Sequence, residues 1–216
     1  MVIFICGLLS ILGVALRSGP AVTPCCCYTP SMSTQEEVAG PAAELPLHEA
    51  VRKDDITTVK HLLSTTSIDK NAEDDNGITP LIEACISGNI KIVQLLLDAG
   101  CPAQPASGFR HSPLRGATVC GNAHLIPLLL TAGADPNAVS DGNRTPLMGA
   151  CFLRKGVDEA KSVLCVKALL ADERVDPTVK NSFGESALDL AMSRGYIESA
   201  ALVEQAVKDW NERQST

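Results

Sequence analysis

Thr79-Pro80-Leu81-Ile82-Glu83-Ala84 is the stretch that decides the fold, because it returns along the chain at a nearly fixed interval. Leu45-Pro46-Leu47-His48-Glu49-Ala50 precedes it, and Ser112-Pro113-Leu114-Arg115-Gly116-Ala117 and Thr145-Pro146-Leu147-Met148-Gly149-Ala150 follow. A fifth copy, Ser186-Ala187-Leu188-Asp189-Leu190-Ala191, keeps the pattern without its proline. Successive copies are offset by 34, 33 and 33 residues, and the last by 41. A constant stride of this size marks a stack of like units, each burying its apolar side against the next.

Each unit reads as two short helices. The proline opens the first, where its missing N–H is harmless and its fixed φ suits the first turn. The Thr or Ser before it caps that helix with its hydroxyl. Leu and Ala at the next slots point inward, and Ala is small enough to let neighbouring helices approach. Gly88, Gly121 and Gly195 end the first helix, as a left-handed residue often does. The second helix follows as Ile92-Val93-Gln94-Leu95-Leu96-Leu97, Ile126-Pro127-Leu128-Leu129-Leu130 and Val166-Lys167-Ala168-Leu169-Leu170. Pro127 is expected in the first turn of its helix. The fourth unit is irregular: Ala150 to Leu169 spans 19 positions, against 12 for Ala84 to Leu96 and 12 for Ala117 to Leu129. The excess falls in 154–162, between the two helices, and is expected to lengthen them or to project as a finger.

This T-P-L-H-x-A core at a period of ~33 resembles the ankyrin repeat. The resemblance runs from about Leu45 to about Lys208, as five repeats near 44–74, 75–107, 108–140, 141–181 and 182–212, within a domain of 44–216. It implies an all-α solenoid of stacked helix-turn-helix units joined by hairpin loops. It also implies a surface offered to a protein or peptide partner rather than a reaction centre. Two alternatives use the same array: a membrane-tethered adaptor, or a regulatory subunit of an enzyme carried on another chain.

Ankyrin-family proteins bind through hairpin tips and exposed first-helix positions, which together line a concave face. Carried onto this sequence, those slots hold three of its four Phe residues. Phe109 and Phe183 each stand three residues before the Ser of a repeat core, and Phe152 stands two beyond Ala150. Around them fall Ile78, Ile86, His111, Val119, Arg144, Leu153, Glu185 and Arg194. Aromatics and Arg dominate binding hot spots because they bury a large area with little rotamer loss. Repeats three to five are therefore expected to carry an apolar patch with Arg that grips a protein or peptide.

Catalytic and metal readings find little support. His48 stands where the repeat expects its His, a slot that usually bonds to neighbouring loops. His61, His111 and His124 occupy unrelated slots, so no metal triad converges. No G-x-S-x-G, phosphate-cradling Gly loop or H-E-x-x-H occurs. Asp74-Asp75-Asn76-Gly77 reads as the repeat's ordinary turn rather than a cation loop. No enzyme activity, cofactor or metal is expected.

Composition agrees with this reading. The chain has 216 residues, 45% hydrophobic and only 3% aromatic, which suits repeats packed through Leu, Ile, Val and Ala. A net charge of −7, with no Lys/Arg cluster, counts against nucleic acid as a partner. Residues 1–21 are a hydrophobic leader whose apolar run reaches ~23 Å as helix, short of a ~30 Å bilayer core. It reads as a signal peptide, as a short anchor or as a start placed too far upstream, and membrane association through it stays open. Residues 22–43 read as a disordered linker, in which Cys25, Cys26 and Cys27 are lipidation candidates if the leader is an anchor. The five cysteines of the array lack paired spacing and read as small buried hydrophobes, which favours the cytoplasm where the leader favours a secretory or membrane location.

Overall fold

The proline-led cores do open helices. A computed structural model describes residues 46–65, 68–104 and 111–215. The leader at 1–21, the linker at 22–43 with Cys25, Cys26 and Cys27, and Phe109 lie outside the described residues. Among the described residues, ten α-helices form five pairs. They are α1 (Pro46–Arg52) with α2 (Ile56–Ser64), α3 (Pro80–Ser87) with α4 (Ile90–Asp98) and α5 (Pro113–Val119) with α6 (Ile126–Thr131). Then come α7 (Pro146–Cys151) with α8 (Glu159–Leu170), and α9 (Ala187–Arg194) with α10 (Ile197–Gln214). No strand occurs among the described residues, only isolated bridges such as Ser140 to Arg144 and Lys180 to Ser186 in the hairpin loops. The architecture is the all-α solenoid expected from the repeat.

The first helices start as their sequences require. The hydroxyls of Thr79, Ser112, Thr145 and Ser186 each accept from the backbone N–H three residues on, at Ile82, Arg115, Met148 and Asp189. Ser186 and Asp189 complete a reciprocal capping box, which makes good the loss of proline in the last repeat. That bonding holds the Asp189 carboxyl below its ordinary range. Gly88 and Gly195 close α3 and α9 with φ of 85° and 73°, a left-handed turn that costs other residues a Cβ clash. Pro127 falls at the second position of α6, where it removes no helical bond.

Packing follows the period. The first helices form one continuous row, α1 against α3, α5, α7 and α9 in turn. The second helices back it, with α4 on α2 and α8 between α6 and α10. Leu47, Leu81, Leu114 and Leu147 occupy one slot and are all 2% exposed or less. Leu96, Leu129, Leu169 and Val203 share a second-helix slot and are fully buried. Cys85, Cys151 and Cys165 fill further core positions as free thiols. Burial pushes the Cys151 and Cys165 thiols up to about 12, and Cys85 higher still. These cysteines act as small hydrophobes, as the spacing suggested.

The insertion lengthens a helix but does not project. The second helix α8 has 12 residues where α4 has 9. The preceding loop folds across its neighbours on both sides. The Arg154 N–H donates to the Val119 carbonyl at 2.9 Å, and the Tyr196 hydroxyl donates to the Val157 carbonyl at 3.3 Å. The Ser162 hydroxyl donates to the Ala150 carbonyl at 2.7 Å and lies 2.8 Å from that of Ser199, all buried. These contacts fasten repeats three, four and five to one another.

Candidate functional site

The first-helix row presents a surface whose relief comes from small residues. Gly116 and Gly149 hold the fourth position of α5 and α7, one turn from the caps. A Cβ on Gly116 would stand 3.3 Å from Cγ1 of Ile86, and one on Gly149 would stand 2.8 Å from the Thr118 hydroxyl and 3.1 Å from Cγ2 of Val119. The missing side chains let each helix approach the one before it. They also seat Ile86 and Val119 of one repeat against the glycine of the next. Ile86, Val119 and Phe152 repeat at 33 residues, and all three are half-buried. They form an apolar ladder across repeats two to four.

An arginine holds the same slot one repeat before Ile86, and another lies on Phe152. Arg52, at the end of α1, pairs with Asp74 at 2.9 Å and Glu83 at 3.4 Å. The Arg194 guanidinium lies 3.7 Å over the Phe152 ring and Nη2 donates to the Leu153 carbonyl at 3.4 Å. A cation over an aromatic face keeps its charge at a modest desolvation cost.

Hairpin loops rise beside this row. Asn181 fixes the tip in repeat five: its Oδ1 accepts from the Phe183 and Glu185 N–H groups, each at 2.9 Å, and its Nδ2 donates to the Glu185 carboxylate at 2.9 Å. That turn holds Phe183 out at 67% exposure, the most exposed aromatic among the described residues. In repeat two Asp74 does the same work, accepting from the Asn76 and Ile78 N–H groups at 2.9 Å. The hairpins of repeats four and five are joined, since the Ser182 N–H donates to the Gly142 carbonyl at 2.9 Å and Asn143 Nδ2 to the Lys180 carbonyl at 2.6 Å.

The structure brings several expected residues together and separates others. Ile86 lies against Gly116, Val119 against Gly149, and Arg194 over Phe152. Phe183, Glu185 and the half-buried Arg144 belong to the hairpins beside them. His111 is half-buried, with Nδ1 3.4 Å from Nη1 of Arg115. Ile78 is half-buried, and its carbonyl accepts from Nε2 of His48 at 2.8 Å. His48 is 2% exposed, so its role is to tie the first helix to the next hairpin. Leu153 is 1% exposed and turns into the fold, because the insertion draws its neighbour Arg154 back onto Val119. Phe152 is half-buried rather than fully outside, as the partner of Arg194.

Sequence reasoning did not single out Gly116 and Gly149 as the floor of the ladder, or Asn181 as the brace of Phe183. The glycines were legible as departures from larger residues in the same slot, Glu49 and Glu83. Asn181 was legible as the polar residue that opens a tight turn.

A family model of ankyrin repeats, in three copies, matches residues 47–140. No curated protein matches the chain. The helix pairs beyond residue 140 reuse the same cap, Leu and Ala slots.

Proposed function

We propose that this chain, which belongs to the ankyrin-repeat family, is a non-catalytic interaction module that holds a segment of a protein partner on the concave side of its stack. Ankyrin repeats are in general protein-interaction modules, and the family is typically non-catalytic. The observation that carries the finer reading is the ladder of Ile86, Val119 and Phe152 over Gly116 and Gly149, with Phe183 standing free beside it. Half-buried apolar side chains on a rigid floor give up little entropy on contact, which is how anchors in hot spots work. His111, Arg144 and Glu185 supply polar groups at the margin, as a rim does.

The test is affinity capture with the full chain, identification of the bound protein by mass spectrometry, and affinity measurement on single variants. Phe152→Ala and Phe183→Ala are each expected to weaken binding by about tenfold or more, within the ~1–3 kcal/mol typical of an aromatic anchor. Leu164→Ala, on the outer helix α8 and 57% exposed, is expected to leave affinity unchanged. Wild-type affinity in both Phe variants, or loss only with Leu164→Ala, would move the site off the first-helix row.

A further inference from the structure

Charge is unevenly distributed along the repeats, and this bears on the kind of segment the first-helix row takes. Residues 72–88, the hairpin and first helix of repeat two, hold Glu73, Asp74, Asp75 and Glu83 with no Lys or Arg. Arg52 enters that cluster and offsets one of the four charges. Residues 138–158, the hairpin and loop that flank α7 in repeat four, hold Arg144, Arg154 and Lys155 against Asp141 and Asp158. The sign therefore changes along the row, although the chain as a whole is acidic at −7.

Arg194 sharpens the basic end. Its guanidinium rests on the Phe152 ring and on one carbonyl, and no carboxylate among the described residues pairs with it. An arginine held this way, beside an apolar strip and exposed on its outer side, is pre-placed for an incoming carboxylate. At helix spacings of ~10 Å the three apolar rungs span ~20 Å, and the charged zones extend the surface to ~40 Å. An extended segment of about 12 residues covers that length.

We infer that the row selects a peptide segment with an apolar centre, basic residues over repeats one and two, and an Asp or Glu side chain on Arg194 at the far end. This rests on the concave-face reading above and adds direction to it. Polarity of this kind fixes register and rejects reversed or uniformly charged segments, because like charges face each other in the wrong orientation.

Selection of random peptides of about 16 residues, displayed on phage, against the full chain tests the inference. Parallel selections use Phe152→Ala, Arg194→Glu and Arg194→Lys. Wild-type chain is expected to enrich peptides with acids on one flank of an apolar centre and bases on the other. A synthetic winner should bind Arg194→Lys within about threefold of wild type and Arg194→Glu about tenfold or more weaker. Replacing its acids by Lys should restore binding to Arg194→Glu. Peptides without charge segregation, or equal binding to wild type and Arg194→Glu with loss on Phe152→Ala, would overturn the polarity and leave the apolar site standing. Enrichment that ignores Phe152→Ala would bring down both.

Discussion

Gly149→Val is expected to cost about 3 kcal/mol, the upper end of what overpacking a tight contact costs. A Cβ at this position meets the Thr118 hydroxyl at 2.8 Å and Val119 at 3.1 Å. Thr118 cannot give way easily: it is fully buried, and its hydroxyl donates to the Arg115 carbonyl at 2.9 Å. Valine adds two more carbons in the same direction, so α5 and α7 must separate or Thr118 must lose its bond. Gly116→Ala is the internal control. Its Cβ comes closest to Cγ1 of half-buried Ile86 at 3.3 Å, with Ile82 at ordinary contact from 3.6 Å, and alanine gains up to ~1 kcal/mol of helix propensity over glycine. The two terms offset, and a change within ~0.5 kcal/mol is expected. Urea unfolding followed by circular dichroism measures both. A Gly149→Val midpoint equal to wild type would mean that α5 and α7 are not held in contact by that glycine.

Leu129→Ala is expected to be the most damaging truncation in the array, at about 3–4 kcal/mol. Leu129 is fully buried on α6, in the slot shared by Leu96, Leu169 and Val203. Its helix packs on α5 of the same repeat and on α8 of the next, so the truncation opens a void at both contacts. Repeat arrays draw stability from nearest-neighbour interfaces, and a central defect weakens two of them. Domain stabilities are commonly only ~5–15 kcal/mol, so this loss is a large share. Thermal and urea unfolding measure it, and a cost below ~1 kcal/mol would show that the second-helix slot is not the core.

The period made most of the fold legible. A Thr or Ser, a Pro and a Leu at fixed offsets state where the first helices of repeats two to four start, and a Gly eight residues beyond the Pro in repeats two and three states where the helix ends. Each of these is a local signal, and each held. The irregular repeat was legible in length but not in path. Seven extra residues say only that something differs, whereas the backbone bond from Arg154 to Val119 and the hydroxyl bond from Tyr196 to Val157 depend on neighbours 35 and 39 positions away.

The site divides in the same manner. Slot counting singled out Ile86, Val119, Phe152, Phe183 and Arg194 as candidates, because in a solenoid the outward slots recur with the period. It placed Leu153 outside, where the insertion turns it inward. It also missed that Arg194 lies on Phe152, since a contact across 42 positions and an irregular repeat has no fixed offset.

Backbone hydrogen exchange, read with and without a bound partner segment, tests the central claim most directly. A docking surface built from first helices and hairpins predicts slower exchange at the hairpins around 140–144 and 180–186 and at the ends of α3, α5 and α7. It predicts unchanged exchange along the outer faces of α4 and α8. Protection confined to α4, α8 and α10, with the first-helix row unaffected, would contradict it.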